Sequence, residues 1–245
     1  MALYKLILAY DGTNYVGFQR QKARKSVQME LETALKCLGW QGKAVLAAGR
    51  TDCGVHASGQ VISFDLDWRH GDDVLLRALN AHLPDDIAAQ SVCQAAKGFH
   101  PRYDALDRTY RYQVYCQLER HPLKARYAWR LWPQPDVDLM NRAAADLIGE
   151  HDFKAFGAAL KENGTTIRQV FKAVWYSTAN GCCFEICANA FLYHMVRRLA
   201  FLLVQVGHGK QPQEIVRQGL ETGDTGIVAL APACGLTLTE VRYKE

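Results

Sequence analysis

The sequence has no long apolar run that is free of charge, and it has no Cys-x-x-Cys pair. Its longest apolar stretch, ANAFLYHMVRRLAFLLVQVG, contains Arg197 and Arg198 near the middle. Because a charge at the centre of a bilayer costs roughly 3 kcal/mol or more, the stretch predicts a buried helix of a soluble protein and not a membrane span. The first residues, MALYKLILAYDG, also lack the apolar core and cleavage site of a signal peptide.

The eight cysteines show no spacing that is typical of a metal site. None of them has nearby histidines at zinc-finger spacing, so we expect no structural zinc. Disulfides belong to oxidising compartments, and nothing else in the sequence indicates secretion. We therefore expect free cysteines and a cytoplasmic protein.

Net charge is also small, because 29 Lys and Arg are offset by 25 Asp and Glu to leave +4 over 245 residues. This mildly basic balance is compatible with a polyanionic partner but does not require one. With 49% hydrophobic residues, the composition is that of a globular protein with a sizeable core.

Strand and helix patterns alternate through the first hundred residues. LYKLILAY predicts a strand, Ser26 is the expected N-cap of a helix that ends at Gly39, and two strands flank GRTDCGVH. Asp72 or Asp73 is expected to cap a second helix, and DIAAQSVCQAA predicts a further strand. The order strand, helix, strand, strand, helix, strand is ferredoxin-like.

The second half alternates in a similar way. Its predicted elements are the strands TYRYQVYCQL and YAWRLW, a helix near 138–148, strands near 168–178 and 181–188, a helix near 189–206 and the strand LTLTEVRY. We therefore predict an α+β protein with two domains, residues 1–104 and residues 105–245.

Asp52 lies in a turn between two predicted strands. An aspartate before Gly54 is usually a structural residue, because its side chain accepts backbone N–H bonds in an Asx-turn. The functional alternative is a carboxylate held at a strand end for nucleophilic or electrostatic catalysis. A hydrolytic glycosidase would need a second carboxylate nearby, whereas Asp65 and Asp67 lie on or beyond the next strand. The pattern therefore favours chemistry with a single carboxylate.

Cys53 and His56 in the same turn allow two further interpretations. A thiol–imidazole pair needs a correctly placed base, which a loop spacing does not establish. Asp52 and His56 could supply two metal ligands, but two ligands without a third are a weak metal signal.

Two basic segments are candidates for contact with phosphates. One has four cations in six residues, next to several glutamines: Arg20, Lys22, Arg24 and Lys25, with Gln19, Gln21 and Gln28. The other interleaves arginines with rings that can stack on bases: Arg102, Arg108 and Arg111, with Tyr103, Tyr110 and Tyr112. The structural alternatives are a solvated charged loop and tyrosines that face the core, and we expect Tyr112 to face the core.

Arg197 is a strong polar anomaly in an apolar stretch. A buried guanidinium needs a partner, because an unpaired buried charge is costly. The partner is either any nearby acid, in a structural ion pair, or a catalytic carboxylate that Arg197 keeps ionised and oriented.

Six blocks of the sequence together resemble the tRNA pseudouridine synthase A family. They cover nearly the whole chain, and are GRTDCGVHASGQV, YDGTNYVGFQRQ with SVQMELETAL, ALNAHLPDDI, FHPRYDALDRTYRY, NAFLYHMVRR and APACGLTLTEV. The resemblance implies a homodimeric isomerase that converts uridine to pseudouridine at nucleotides 38 to 40 of the tRNA anticodon stem-loop, without a cofactor or metal. It also implies an extended, mainly antiparallel sheet of two ferredoxin-like halves, with helices on one face and a basic cleft between the halves.

The same resemblance implies roles for single residues. Asp52 falls on the catalytic aspartate, Tyr110 on the tyrosine that stacks on the target base, and Arg197 on the arginine that pairs with the aspartate. Arg50 falls on the motif arginine that helps to hold the flipped nucleotide in related enzymes. One carboxylate suffices for the isomerisation, whether it attacks the sugar or base or abstracts a sugar proton, and the motif glycines are expected to let RNA backbone approach closely.

Three positions depart from the family pattern. Pro101 stands where FHPR usually has Ala, and it stiffens the approach to Arg102. Arg198 and Phe201 stand where the family usually has Asn and Gly, so we expect bulkier packing of this helix, with an effect on the dimer contact. Three classes remain as alternatives: a catalytically silent RNA-binding relative, a hydrolase that depends on Cys53, and a sugar-cleaving hydrolase that releases uracil.

Overall fold

The computed structural model describes residues 1–22, 24–159 and 164–244. The chain divides into two compact units, one formed by Met1–Leu106 with Leu238–Glu245 and the other by Asp107–Thr237. The predicted domain boundary between residues 104 and 105 stays a prediction about where independently folding parts begin.

Ten strands and six helices occur in the described ranges. The strands are β1 (Ala2–Tyr10), β2 (Leu46–Ala47), β3 (His56–Leu66), β4 (Ile87–Gln94), β5 (Ala105–Cys116), β6 (Trp129–Leu131), β7 (Gly149–Asp152), β8 (Ile167–Thr178), β9 (Gly181–Ala188) and β10 (Leu236–Tyr243). The helices are α1 (Val27–Cys37), α2 (Asp72–His82), α3 (Pro122–Ala125), α4 (Val137–Ala145), α5 (Met195–Gly207) and α6 (Ile215–Thr222).

The first unit has the ferredoxin-like strand order. β1 lies between β3 and β4 and pairs antiparallel with both, and β2 pairs with β3. Along β1 every second side chain is buried, namely Tyr4, Leu6, Leu8 and Tyr10. α2 packs against β4 and contacts α1, so these helices cover the apolar side of the strands. The part of β10 that belongs to this unit lies beside β3.

The second unit is built on the antiparallel strand order β5-β9-β8-β7. β6 adds a short parallel pairing to β5. α4 packs against α5, α6 and β8 around the buried rings of Phe153, Phe156, Trp175 and Phe184. All eight residues of β9 are buried, and the only charged one among them is Glu185.

The predicted α+β class and mainly antiparallel pairing are confirmed. The expected helix after Ser26 is α1, and the expected strands near 168–178 and 181–188 are β8 and β9. The N-cap of α2 is Gly71, so the prediction of Asp72 or Asp73 as the cap was wrong. Both aspartates lie in the first helical turn, where carboxylates favour the positive end of the helix dipole.

The apolar helix α5 begins at Met195, several residues later than predicted. His194 has a left-handed backbone (φ 67°), and Tyr193 pairs with Ala158 in an isolated bridge, so the chain before Met195 is not helical. α5 has 13 residues. No helix within the described residues is long and apolar enough to cross a membrane.

The three unusual residues have identifiable contacts. Phe201 stacks on Trp129 of β6, with ring centroids 6.1 Å apart and planes 15° apart. Arg198 donates from its guanidinium to the carbonyl of Ala155 at 3.5 Å. The carbonyl of Pro101 accepts the hydroxyl of Tyr243 at 2.7 Å. The bulky packing expected at Phe201 is therefore an aromatic contact between α5 and β6.

Candidate active-site residues

Asp52 lies in the loop of residues 48–55, between β2 and β3 of the first unit. Hydrogen bonds to side chains of β1 and β3 fix the part of the loop just before the carboxylate. Thr51 shares a bond of 2.7 Å between its Oγ1 and the hydroxyl of Tyr10, and Gln60 donates from Nε2 to the carbonyl of Gly49 at 3.0 Å. Burial raises the pKa of Tyr10 to about 12, so its hydroxyl keeps its proton at neutral pH.

The segment YDGTNYVGF forms one wall of this loop. A side chain at Gly12 would have its Cβ 2.0 Å from the carbonyl oxygen of Val55, and one at Gly17 would have it 2.6 Å from the carbonyl oxygen of Thr51. Gly17 also has a left-handed φ of 108°, which favours glycine. Phe18 donates its N–H to the carbonyl of Thr51 at 3.0 Å. Two of the blocks that suggested the family are therefore in direct backbone contact.

Asp52 itself is half-buried, and Arg50 is exposed. The N–H of Val55 donates to the backbone carbonyl of Asp52 at 3.1 Å, which closes the turn. The side-chain carboxylate of Asp52 is therefore not needed to close the turn. The supporting residues Tyr10, Thr51 and Gln60 were not predicted from sequence.

The Cys53–His56 interpretation gains no support from the geometry. His56 is buried, and its Nδ1 accepts the N–H of Gly12 at 3.1 Å, so this nitrogen is used in packing the loop. Cys53 is exposed to solvent. A nucleophilic thiol would need its base directed toward it, and here the imidazole is part of the buried wall.

Gly59 was expected to ease the approach of RNA, but it is packed against the protein itself. A Cβ at this position would lie 2.2 Å from the carbonyl oxygen of Thr239 on β10. The glycine is therefore explained by the close approach of two strands of the first unit.

The basic segment Arg20–Lys25 is partly tied into the fold. Arg20 donates to Glu32 at 2.7 Å, and the carboxylate of Glu32, whose side chain is 2% exposed, also accepts from Gln28 and from the N–H of Val45. The ammonium of Lys25 lies 4.8 Å from the ring centroid of Tyr15. Lys22 and Arg24 are exposed. Arg20 thus balances a buried acid, whereas the other three cations remain candidates for phosphate contact.

Tyr110 and Tyr112 lie on β5 in the second unit. Tyr110 is 9% exposed and meets Phe191 edge-to-face, with centroids 5.1 Å apart. Tyr112 is fully buried and donates its hydroxyl to the carbonyl of Pro232 at 2.8 Å, which confirms that it faces the core. Burial raises the pKa of Tyr112, and the positive charge of Arg197 acts in the opposite direction.

Arg197 lies in the first turn of α5 and is half-buried. Its Nε donates to the carbonyl of Ala231 at 2.8 Å, and the N–H of Ala231 donates back to the carbonyl of Arg197 at 3.1 Å. The first bond holds the guanidinium by one edge, and the second joins the backbones of the two residues. The bond to Ala231 orients the fork of the side chain, as a positioned cation requires.

Two arginines of the second basic set, Arg108 and Arg111, make contacts that hold the fold. Arg108 is buried and donates to the carbonyl of Asn189 at 2.6 Å. Arg111 and Lys172 flank Glu185 at 2.7 Å and 2.6 Å, and these bonds, that of Lys172 first, hold the pKa of Glu185 below its usual range. Arg102, of the first unit, is half-buried.

All eight cysteines are free thiols. In the part of the chain that the structure describes, no group of three or more His, Cys, Asp and Glu side chains is arranged to hold a metal ion.

Comparison with known proteins identifies the family. The model of the tRNA pseudouridine synthase family matches residues 6–104 and 143–244. The chain belongs to this family. It is 40% identical over 237 residues to tRNA pseudouridine synthase A of Aeromonas hydrophila subsp. hydrophila, covering 96% of this chain and 88% of that protein. It is 38% identical to the protein of the same name from Francisella tularensis subsp. novicida, covering 100% and 95% of the two chains.

A third relative has a slightly lower identity. The tRNA pseudouridine synthase A of Limosilactobacillus fermentum is 36% identical over 249 residues, covering 99% of this chain and 96% of that protein. The predicted family and the prediction of an isomerase that acts on tRNA are thereby confirmed. The matched ranges include the positions of Asp52 and Arg197 but not that of Tyr110.

Proposed function

We propose that the chain isomerises uridine to pseudouridine at nucleotides 38 to 40 of the tRNA anticodon stem-loop, with Asp52 as its single catalytic carboxylate. The observation that carries the proposal is the loop of residues 48–55, in which Thr51 and Val55 are buried and hydrogen-bonded while Asp52 between them is only half-buried. A carboxylate that is rigidly held yet reachable is what a positioned catalytic group requires.

The reaction is an isomerisation, so no group is transferred between the protein and the RNA overall. The N1–C1′ bond breaks, the uracil turns, and a C5–C1′ bond forms; the proton on C5 leaves, and N1 ends with a proton. Nothing is oxidised and no group leaves the RNA, so the proposal includes no cofactor and no metal. Asp52 acts either by attack on the sugar or base or by abstraction of a sugar proton, and both routes use one carboxylate.

The remaining roles are proposed from the motif match. Tyr110 stacks on the extruded base. This stacking recovers part of the free energy of unstacking, which is roughly a few kcal/mol. Arg197 pairs with the catalytic aspartate, and Arg50 holds the flipped nucleotide. Lys22, Arg24, Lys25 and, to a lesser extent, Arg20 contact phosphates.

The experiment follows the C5 proton. A tRNA transcript that carries tritium at C5 of its uridines releases tritium to water only when pseudouridine forms. Three transcripts that keep one uridine among nucleotides 38 to 40, at 38, at 39 or at 40, should each release tritium. A transcript without uridine at these three positions should release none. Release only from uridines outside the anticodon arm would contradict the proposed target, and release of free uracil would indicate a hydrolase.

The proposal also includes a homodimer in the cytoplasm. Light scattering coupled to gel filtration should give twice the 27.5 kDa mass of the chain. A mass of one chain at working concentration would contradict the dimer without affecting the assignment of the reaction.

A further inference from the structure

A second basic surface lies outside all of the family blocks. The β5–β6 loop (residues 117–128) carries Arg120, Lys124 and Arg126 against a single carboxylate, Glu119. It falls between residues 104 and 143, the stretch that the family model leaves unmatched. The roles proposed above leave these cations unassigned.

The β5–β6 loop is a closed structure whose two ends meet. Gln117 donates its N–H to the carbonyl of Leu131 at 3.2 Å, and Arg130 donates from its guanidinium to the carbonyl of Leu118 at 2.6 Å. Inside the loop the Nδ1 of His121 accepts the N–H of Lys124. Compact surface loops with touching ends are frequently functional, because their shape is set before a partner binds.

The loop is also fixed to the second unit. Trp129, which follows it on β6, pairs with Val114 of β5 and stacks on Phe201 of α5. Trp129 also meets Tyr112 edge-to-face, with ring centroids 6.3 Å apart. The aromatic residue at Phe201 thus supplies a packing surface that holds the base of the loop.

The exposed side chains of this region combine cations with large rings. Arg120 and Arg126 are exposed, and Tyr127 and Trp132 are 49% and 57% exposed. The guanidinium carbon of Arg126 lies 5.9 Å from the ring centroid of Tyr127. Exposed aromatic rings among cations are suited to bind a nucleic acid, whose phosphates pair with the cations while a base stacks on a ring.

We propose that the β5–β6 loop, together with Trp132 just after β6, is a second tRNA-contact surface. Arg120, Lys124 and Arg126 bind phosphates there, and Tyr127 and Trp132 stack on an unpaired base. The inference rests on the proposed function, because it takes tRNA as the substrate. The same surface of a second copy of this chain would meet it with like charge, whereas RNA is complementary to it.

The loop acts on affinity and not on bond breaking. It begins seven residues after Tyr110 on β5, and at about 3.3 Å per residue this places it about 23 Å from the tyrosine proposed to stack on the target base. Its contacts therefore fall on a part of the tRNA away from the isomerised nucleotide. Loss of the loop cations should raise the KM for tRNA and leave kcat unchanged.

The test replaces Arg120, Lys124 and Arg126 together by Gln and measures the Kd for a tRNA transcript over a series of salt concentrations. Each lost phosphate contact lowers the slope of log K against log salt by about 0.7–0.9, so the slope should fall by about 2–3. Arg130 is left unchanged because it closes the loop. The control changes three exposed cations elsewhere, Lys36, Arg69 and Lys210, to Gln.

The expected result is a reduced slope and weaker binding in the loop variant, with a slope close to the wild-type value in the control and an unchanged thermal midpoint in both. A loop variant with the wild-type slope would overturn the inference, as would a control whose slope falls equally. Tyr127→Leu with Trp132→Leu keeps the charge, so it should raise Kd about tenfold without a change in slope. An unchanged Kd would overturn the stacking contact.

The two proposals fail in different ways. If the wild-type chain releases no tritium from tRNA but the slope still falls in the loop variant, the proposed reaction is wrong and the RNA surface is supported. If the wild-type chain makes pseudouridine and the loop variant binds tRNA like the wild type, the reaction stands and the second surface is wrong.

Discussion

The two units carry their candidate residues in different kinds of structure. In the first unit, Asp52 and Arg50 lie in a loop, where Asp52 is half-buried, Arg50 is exposed, and hydrogen bonds from Tyr10 and Gln60 hold the adjacent residues. In the second unit, Tyr110 and Arg197 are built into β5 and α5. Substitutions in the first unit should therefore separate activity from stability, whereas substitutions in the second should couple the two.

The largest expected effect is that of Asp52→Asn. Asparagine keeps the size but has no charge, so isomerisation should fall by about a thousandfold or more, as is typical when a catalytic group is removed. Because Asp52 is half-exposed and its backbone carbonyl closes the turn, the thermal midpoint should stay within about a degree of the wild type. Tritium release and the Kd for tRNA are measured together, and the Kd should be nearly unchanged.

The matched control for this variant is Asp65→Asn, on β3, where the carboxylate is exposed. It removes the same charge from the same unit and should retain full activity. Substantial tritium release by the Asp52 variant would remove the carboxylate from the mechanism and with it the single-aspartate proposal.

Arg197 gives the next largest effect and tests the coupling in the second unit. Arg197→Lys keeps the charge but loses the Nε donor to Ala231 and the bidentate fork, so activity should fall about a hundredfold. Arg197→Met should abolish activity and lower stability by about 1 kcal/mol, because the carbonyl of Ala231 loses its side-chain donor. The measurements are kcat and the denaturant midpoint.

The neighbouring arginine on α5 is the control for both Arg197 variants. Arg198→Lys should keep most of the activity, because the guanidinium of Arg198 donates to the carbonyl of Ala155 at the long distance of 3.5 Å. Wild-type turnover in Arg197→Met would mean that Arg197 is a structural residue and not a partner of the catalytic carboxylate.

Tyr110 and Tyr112 sharpen the comparison within one strand. Tyr110→Leu should lower kcat/KM about tenfold to a hundredfold, because base stacking is worth about 1–3 kcal/mol, and Tyr110→Phe should be near wild type. Tyr112→Phe should keep activity but lose about 1 kcal/mol of stability, because its buried hydroxyl donates to Pro232. Equal losses of activity in Tyr110→Phe and Tyr110→Leu would argue against a role in stacking.

The sequence predicted the elements whose pattern is local. β1 and β8–β9 were predicted from alternation and apolar runs, and α1 from a capping residue and a terminal glycine. α5 was predicted too long, because the left-handed turn at His194 is imposed by the bridge between Tyr193 and Ala158, which are far apart in sequence. α6 was missed, since Gly219 in its interior lowers helix propensity by about 1 kcal/mol relative to alanine.

The site residues also divide into those that a local sequence pattern predicts and those that only the fold brings together. The motif loop could be recognised because a charged turn between apolar strands is conspicuous in sequence. The residues that hold it, Tyr10, Thr51 and Gln60, come from three separate places on β1, the loop and β3, and only the fold brings them together. Similarly, no sequence pattern showed that Arg20 balances the buried Glu32, because both charges look like surface residues.

Thr51 and Tyr10 test whether the first unit truly supports its carboxylate through buried bonds. Thr51→Val leaves the buried hydroxyl of Tyr10 without this partner, so stability should fall by about 1–3 kcal/mol and kcat about tenfold, as the loop shifts. The double variant with Tyr10→Phe removes both ends of the bond and should recover part of the stability. A double variant that loses the sum of the two single losses would show that the two hydroxyls act independently.

The smallest effect on turnover is expected in the basic segment Arg20–Lys25, where the same loop contains a structural cation and three candidates for phosphate contact. Changing Lys22, Arg24 and Lys25 to Gln should leave kcat and the thermal midpoint unchanged and lower the salt slope of tRNA binding by about 2–3 if all three touch phosphates. Arg20→Gln should do the opposite. It should lower the thermal midpoint, because Glu32, with a 2% exposed side chain, loses its ion pair. The salt slope should change by no more than about 1. A slope that is unaffected by the triple change would make this segment a solvated surface and leave the binding of tRNA to other cations.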